Sequence, residues 1–184
     1  LNDCVSSLFR HVPKSDFELI LVDNHSRDRN YLETYRGVSN IHLIFNEDNL
    51  GFSKAVNIGL RMASGQYSLI LNPDMIFLSN PFPRLLVQWQ NDPRIGVIGP
   101  LLHDCEGNPQ IQDFYPTFPS ISQFLLFRSM LASIPVCRKL AVKFFHSRVG
   151  TEGVFFVDQI PGAFLLFDRN LFGAQPALNE AFYI

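Results

Sequence analysis

The sequence predicts an α/β fold in which helices flank a mostly parallel sheet, and two patterns support this prediction. Over the first hundred residues, short continuous apolar runs alternate with stretches of helical periodicity. Uninterrupted apolar strands are typical of a parallel sheet, because its strands are covered on both faces. With 184 residues, of which 47% are hydrophobic and 17% charged, the chain also has the size and composition of one globular domain.

Four apolar runs predict the strands of the first half. Each contains β-branched or aromatic side chains and is bounded by polar residues that favour turns. In chain order they are "FELILVD" (17–23), "IHLIFN" (41–46), "QYSLILN" (66–72) and "IGVIGP" (95–100).

Helical patterns occupy the intervals between these strands. The chain begins in an amphipathic pattern, "RNYLETYRG" predicts a short helix closed by Gly37, and a longer helix is expected from Phe52 to Ala63. In the longer helix, small residues recur at every fourth position (Ala55, Gly59 and Ala63). One helix face is therefore nearly bare and can lie close against the sheet.

Three further elements follow along the chain. A helix is expected over 79–92, with Ser79 or Asn80 as its N-cap and prolines in its first turn. The segment "HDCEGNPQ" (103–110) predicts a hairpin turn at Gly107 and Asn108. Finally, "VFFVDQIPGAFLLFD" (154–168) predicts two strands joined by a Pro-Gly-Ala turn, and "RNLF" starts another helical turn.

The bulk composition excludes several classes of protein. A formal charge of -2 and a pI near 6.2 argue against a nucleic-acid-binding protein. The three cysteines are scattered and show no C-x-x-C spacing, which argues against a zinc site or a disulfide framework and fits a reducing compartment. No apolar run reaches the roughly 18 residues of a membrane span. The expected location is the cytoplasm.

A long basic stretch in the second half has two interpretations. Between Asp113 and Glu152 there is no acidic residue, whereas five Arg or Lys residues occur among many apolar ones. Residues 119–148 could form an ordinary amphipathic pair of helices that covers the core. They could equally form an interfacial element that meets anionic lipid headgroups and holds the protein at the inner face of the plasma membrane.

Two carboxylates follow predicted strands. Asp23 ends the first strand, and Asp74 follows the third in the turn Asn72-Pro73-Asp74. Carboxyl ends of parallel strands share one edge of the sheet, where ligands bind in such folds. Mg²⁺ and Mn²⁺ take oxygen ligands and share them with phosphates, so the pair suits a metal-bound polyphosphate. The structural alternative is that each Asp is only a turn or cap residue.

Several motifs together resemble a known enzyme family. They are "VDNHSRD", "NEDNLGFSKAVNIGLRMASGQYSLILNPD", "VDQIPGAFLLFDRNLF" and "LNEAFYI", in this order. Their order and spacing resemble the family-two inverting glycosyltransferases, in particular the bacterial rhamnosyltransferase-like branch of O-antigen and capsule assembly. The resemblance implies a GT-A fold, with a nucleotide-sugar-binding half at 1–100 and a smaller, mixed, incomplete acceptor-side half at 101–184.

The resemblance implies roles for individual residues of the donor half. Asp23 would accept a hydrogen bond from the N3–H of a pyrimidine base. Asp74 would hold a divalent metal (Mg²⁺ or Mn²⁺) that bridges the diphosphate of a dTDP- or UDP-sugar. Many relatives have Asp-x-Asp at this turn, and Asn72 here replaces one carboxylate, which weakens the metal site. The other positions expected near the nucleotide are Asn24, Ser26, Asp28, Asn49, Gly51, Phe52 and Asn57.

On the acceptor side, the resemblance points to a glycan or polyprenyl-linked acceptor. Gly162 and Ala163 match a small-residue turn near the transferred sugar, and Asp158 is a candidate for the acceptor cleft. Glu180 matches the acidic position of "D-E-x-F-F", in which Asn179 replaces the usual Asp.

Two departures from the family pattern concern the ends of the sequence. Family members begin with a "V-x-I-V-x-T-Y-N" strand, and they carry a Glu-Asp pair, containing the general base, a few residues after the last motif. We expect both to lie outside this sequence, the base beyond Ile184. The predicted function is transfer of a sugar, possibly rhamnose, with inversion to a bacterial surface polysaccharide. The alternatives are an inactive fragment that only binds a nucleotide or a partner, and a nucleotidyltransferase.

Overall fold

A computed structural model describes residues 1–110, 152–171 and 178–181 of the chain. These residues divide into two compact units. The first comprises Leu1–Ile98 with Leu166–Ile184, and the second comprises Gly99–Leu165. The chain leaves the first unit after Ile98 and returns to it at Leu166.

The first unit contains a parallel pair of strands, as the continuous apolar runs predict. Strand β1 (Leu19–Asp23) pairs with β2 (Ile41–Phe45) in parallel, so that Asp23 lies opposite Phe45. The connection between them contains the 3₁₀ helix Asn30–Tyr35 and turns at Gly37, whose φ of 79° lies in the region that favours glycine. The parallel register brings the carboxyl ends of both strands to one edge.

Among its described residues, the same unit has three α-helices: α1 (Asn2–His11), α2 (Phe52–Met62) and α3 (Phe82–Asn91). Helix α2 packs on β1 through its small-residue face, as predicted. A Cβ added at Gly59 would come within 3.2 Å of Val22 Cγ2, so the helix approaches the strand as closely as a glycine permits. The N-cap position of α3 is Pro81, and Asn80 Oδ1 accepts a hydrogen bond from Phe82 N at 3.1 Å.

A second, three-stranded sheet has the strand order β3-β5-β4. Its members are β3 (Tyr67–Leu71), β4 (Val97–Ile98) and β5 (Phe164–Asp168), the last of which enters the first unit at its third residue. Strand β4 is antiparallel to β5. Both the apolar run at 66–72 and the one at 95–100 thus form strands, and the described sheets contain a parallel pair (β1 with β2) and an antiparallel pair (β4 with β5).

The second unit contains the predicted hairpin turn but not one of the predicted strands. Asp104 N donates to Asn108 O at 2.9 Å around Gly107, whose φ is 87°. By contrast, residues 154–158 do not form the strand that their apolar pattern predicts, and in the described part of the chain no strand pairs with them. Val154 is 57% exposed and Phe156 71%, so the pattern here does not reflect burial between layers.

Three ranges (111–151, 172–177 and 182–184) lie outside the described residues. The basic stretch at 119–148 is among them, and both of its interpretations stay open. In the ranges that the structure describes, no helix is both long and apolar enough to cross a membrane.

Candidate functional site

The carboxyl end of β1 presents a buried carboxylate. The side chain of Asp23 is 1% exposed, and its Oδ2 lies 2.8 Å from Arg29 Nε. The same oxygen accepts a hydrogen bond from Ser26 N at 3.2 Å. Between Asp23 and Ser26 the chain turns at His25, whose φ of 71° is left-handed. The loop after β1 therefore folds back over the strand end and holds one carboxylate oxygen in place.

Arg29 also ties this loop to the end of β2. Its Nη2 donates to the backbone oxygen of Asn46 at 2.5 Å, and its guanidinium lies 5.6 Å from the centroid of the Phe45 ring. Asn46 N donates in turn to Asp23 O at 2.9 Å. The guanidinium thus compensates the charge of Asp23 and joins the two strand ends.

The other oxygen of this carboxylate differs, because no donor reaches it in the described part of the chain. Asp23 Oδ1 is buried and has no hydrogen-bond partner among the described residues. Leaving a buried acceptor unpaired costs about 1–3 kcal/mol, and more when it is charged. Asp23 lines a cavity that also reaches Asn24 and Ser26. A ligand N–H that entered the cavity at this end would satisfy the oxygen.

An amide network fixes the neighbouring turn. Asn24 Oδ1 accepts from Asn46 Nδ2 and from Leu50 N, both at 3.0 Å. Asn24 Nδ2 donates to Asn49 Oδ1 at 2.8 Å and to Gly51 O at 3.3 Å. Asn49 Oδ1 also accepts from Gly51 N at 3.0 Å, and Gly51 has a φ of 79° that a non-glycine residue rarely adopts. Three positions predicted from the sequence, Asn24, Asn49 and Gly51, are therefore joined in one hydrogen-bond network.

The turn after β3 carries the second carboxylate. Asp74 is exposed, and Met75 N donates to Asn72 O at 3.4 Å, which closes the turn. The Sγ of Cys4 lies 3.8 Å from the same oxygen. Burial raises the pKa of the Cys4 thiol; the chain's amino terminus lowers it and the charge of Asp74 adds to the increase. The first turn of α1 thus packs against this turn, and Asp74 itself is exposed.

Helix α1 further anchors this turn through a hydroxyl. Ser7 Oγ donates to Cys4 O at 2.9 Å and accepts from Phe77 N at 3.0 Å. Both contacts are buried, so the segment that follows Asp74 is held against α1.

The donor set at this turn is small. Among the described residues, no group of three or more His, Cys, Asp or Glu side chains could hold a metal ion. The Asp74 carboxylate and the Asn72 amide offer two oxygen-bearing side chains. Mg²⁺ commonly keeps several waters and is bound through one or two carboxylates together with substrate phosphates. The residues therefore fit a metal that arrives with a diphosphate, and not one held by the protein alone.

Asn57 holds the end of the chain against α2. It is 1% exposed, and its Nδ2 donates to Leu178 O at 2.8 Å and to Glu180 Oε1 at 3.0 Å. Its Oδ1 accepts from Leu178 N at 3.1 Å. Arg61 Nη1 lies 3.8 Å from the same Glu180 oxygen. The sequence places Asn57 near the nucleotide, whereas in the structure both of its amide hydrogens are used within the protein.

The remaining sequence-predicted residues are distributed over both units. Asp28 is exposed and its Oδ1 accepts from Asn30 N at 2.9 Å, so it caps the 3₁₀ helix. Phe52 is 41% exposed at the start of α2. In the second unit, Asp158 and Gly162 are exposed, and a Cβ added at Gly162 would meet nothing within 4 Å. Ala163 follows in the turn where Phe164 N donates to Pro161 O at 3.4 Å.

Sequence reasoning missed Arg29 and Asn46. The segment "SRDRN" offers two arginines, and no local pattern distinguishes Arg29 from Arg27. The buried acid at Asp23 is a signal that some cation must lie nearby, because a buried charge is nearly always paired.

Comparisons with known proteins identify the family of the chain. The family model "Glycosyl transferase family 2" matches residues 1–144. A protein of Haemophilus influenzae (strain ATCC 51907 / DSM 11121 / KW20 / Rd), described as an uncharacterized glycosyltransferase, is 31% identical over 84 residues, which cover 46% of this chain and 28% of that protein. The chain therefore corresponds to less than a third of this relative's length.

A solved structure is also similar, the crystal structure of S. aureus TarS 1-349. The similarity has a TM-score of 0.44 at 20% sequence identity and covers 68% of this chain and 40% of TarS 1-349. The family match is the stronger finding, because it spans more than half of the sequence and includes Asp23, the amide network and the turn at Asp74. The chain belongs to glycosyl transferase family 2, and its fold is α/β of the GT-A type.

Proposed function

We propose that the chain binds the nucleotide of a nucleotide-diphosphate sugar at the carboxyl ends of β1 and β3. The observation that carries this proposal is Asp23 Oδ1, a buried carboxylate oxygen with no donor among the described residues. Uracil and thymine each carry an N3–H beside two carbonyl groups, so either base can donate to this oxygen. Cytosine has no hydrogen at N3. The donor is therefore a UDP- or dTDP-sugar rather than a CDP-sugar.

In this proposal, Asp23 and Asp74 have different tasks. Asp23 is buried and paired with Arg29, so it can receive a neutral donor without a further change of charge. Asp74 is exposed, so its carboxylate can bind a hydrated divalent metal that accompanies the diphosphate. A metal bound there would stabilise the charge that develops on the leaving diphosphate. Asn72 contributes an amide oxygen and no charge.

The reaction proposed for the intact enzyme is transfer of the sugar to a glycan or lipid-linked acceptor with inversion. An acceptor hydroxyl attacks the anomeric carbon from the side opposite the diphosphate, the bond to the diphosphate breaks, and the hydroxyl proton passes to a base. Glu180 is the candidate carboxylate on the acceptor side, and Asn57 fixes its position. Two finer parts of the proposal, rhamnose as the sugar and a bacterial surface polysaccharide as the product, rest on the sequence resemblance. Contact with the membrane through residues 119–148 rests on the composition of that stretch.

Calorimetric titration with UDP, dTDP and CDP, each with and without Mn²⁺, tests the proposal. We expect UDP or dTDP to bind at least tenfold more tightly than CDP, because an unpaired buried acceptor costs about 1.4 kcal/mol or more. Asp23→Asn should remove this preference, because its amide can present an N–H or an oxygen to either base. Asp74→Ala should remove the effect of Mn²⁺ and leave the base preference intact.

Two results would overturn the proposal. One is equal binding of CDP and UDP by the unchanged chain. The other is Mn²⁺-dependent binding that survives Asp74→Ala, which would place the metal elsewhere. An assay of free sugar released from the nucleotide-diphosphate sugar by hydrolysis distinguishes an active transferase from a chain that only binds nucleotide.

A further inference from the structure

The two oxygens of the Asp23 carboxylate differ in what they can still accept. Oδ2 lies 2.8 Å from Arg29 Nε and accepts a hydrogen bond from Ser26 N at 3.2 Å. A carboxylate oxygen has about two lone-pair sites, so both sites of Oδ2 already face a donor. Oδ1 is buried and has no donor among the described residues. The carboxylate can therefore receive a ligand through one oxygen only.

The amide oxygens of the neighbouring turn are also occupied. Asn24 Oδ1 accepts from Asn46 Nδ2 and from Leu50 N, both at 3.0 Å. Asn49 Oδ1 accepts from Asn24 Nδ2 at 2.8 Å and from Gly51 N at 3.0 Å. Of these carboxylate and amide oxygens, only the unpaired carboxylate oxygen can still accept a hydrogen bond from a base.

This arrangement distinguishes bases by the number of donors that they present together. Uracil and thymine present one imide N–H between two carbonyl groups, so a single free carboxylate oxygen is sufficient. Guanine presents two donors side by side, N1–H and the N2 amino group, and these match the two oxygens of one carboxylate. At Asp23 the second oxygen is already paired with Arg29, so the amino group would lie beside a cation instead of an acceptor. A buried donor without a partner is costly, and guanine is therefore disfavoured.

Contacts beyond Asp23 hold Arg29 in this position. Its Nη2 donates to Asn46 O at 2.5 Å, and its guanidinium lies 5.6 Å from the centroid of the Phe45 ring. Both contacts are at the end of β2, so the guanidinium is fixed before a base binds. Its positive charge also offsets the repulsion between the carboxylate and a uracil carbonyl that flanks the imide N–H.

We infer that Arg29 is a positioning residue that sets the base specificity of the donor site: by occupying Asp23 Oδ2, it excludes guanine and admits uracil or thymine. The inference rests on the nucleotide site proposed above and extends it, because a carboxylate with two available oxygens would also suit a GDP-sugar. In this way an arginine that acts through Asp23 selects the class of donor.

Displacement of UDP by GDP and by IDP, followed by calorimetry, tests the inference in the unchanged chain. Hypoxanthine, the base of IDP, keeps the N1–H and the carbonyl group of guanine and lacks the N2 amino group. The two purine nucleotides therefore form a matched pair that differs in this amino group alone. We expect IDP to bind at least about tenfold more tightly than GDP, because only guanine brings a donor that finds no acceptor.

Variants of Arg29 test the cause of this preference. Arg29→Ala frees a site on Asp23 Oδ2, so the preference for IDP over GDP should fall at least about tenfold. Arg29→Lys, whose ammonium group can still donate to Oδ2, should keep most of it. A merely loosened loop would weaken both nucleotides alike and leave their Kd ratio unchanged. Arg27→Ala is the control, since Arg27 is exposed in the same loop.

The outcomes distinguish this inference from the proposed function. Equal binding of CDP and UDP would overturn the nucleotide site itself. A preference for UDP over CDP together with equal binding of GDP and IDP would overturn only the role of Arg29, since another acceptor, such as Ser26 Oγ, then receives the amino group. Failure of both purine nucleotides to displace UDP would also overturn it, because size alone would then exclude guanine. The comparison in the unchanged chain does not depend on whether a variant folds, and circular dichroism verifies the fold of each variant.

Discussion

Replacement of Asn57 by alanine is expected to release the segment around Leu178 from helix α2. The change removes three hydrogen bonds: two donated by Nδ2, to Leu178 O and Glu180 Oε1, and one accepted from Leu178 N. Each bond contributes about 0.5–1.5 kcal/mol, and one to a charged group more. We expect the opening of this segment to become easier by about 2–4 kcal/mol in free energy, the sum of these contributions.

Hydrogen exchange at the Leu178 amide measures this effect, because its N–H donates directly to Asn57 Oδ1. A change of 2–4 kcal/mol corresponds to exchange that is about 30 to 700 times faster. Lys54→Ala is the matched control, since Lys54 is exposed on the same helix. We expect that variant to change the exchange by no more than about threefold, in line with other surface substitutions.

The same variant decides between two roles of Asn57. The sequence resemblance places this residue near the nucleotide, but both amide hydrogens are already donated within the protein. We therefore expect Asn57→Ala to leave the Kd for UDP unchanged within about twofold. A tenfold loss of UDP affinity, together with normal protection of Leu178, would refute this reasoning and restore the nucleotide contact.

Two further predictions concern charged groups of the first unit. Arg29→Gln should lower the free energy of unfolding by about 1–3 kcal/mol, less than the usual cost of breaking a buried pair because Arg29 is 35% exposed. Urea denaturation measures the loss, and Arg27→Gln in the same loop, which should have little effect, is its control. The pKa of Glu18 is lowered: partial burial raises it, but hydrogen bonds from the turn at 64–65 outweigh that effect. The stability that Glu18 contributes is therefore present above its usual pKa of 4.5 and is lost as the pH falls through the lower pKa of the folded state. Urea denaturation between pH 3 and pH 7 should show a shallower acid loss for Glu18→Gln, and an unchanged slope would contradict the assignment.

The strands that the sequence predicts correctly are those that have a hydrogen-bonded neighbouring strand in the structure. β1 and β2 pair with each other, β3 pairs with β5, and the apolar residues of all three strands are buried or half-buried. The run at 154–158 has the same pattern, but all of its side chains except that of Val157 are exposed. A strand depends on a neighbour to which it can hydrogen-bond, and periodicity carries no information about that neighbour.

The site was predictable to the extent that it lies at strand ends. Asp23 and Asp74 directly follow apolar runs, and the turn at Gly51 is marked by its glycine. The partner of Asp23 was not predictable, because Arg29 reaches it only after the loop reverses at His25. For Asn57, the sequence shows a polar residue on a helix, and only the folded chain shows that its partners are 121 and 123 positions away.

The contacts of Arg29 and Asn24 explain how the loop after β1 holds the Asp23 carboxylate in position before a ligand binds. Both residues bind the end of β2 or the turn that follows it, so the loop after β1 is attached to the neighbouring strand at two points. Ordering a free side chain on binding costs about 0.5–1.5 kcal/mol. Here the side chains are already ordered by folding, and Asp23 Oδ1, which has no donor among the residues that the structure describes, is available to a ligand. Loss of Arg29 should therefore weaken nucleotide binding mainly by loosening Asp23, although Arg29 itself need not touch the base.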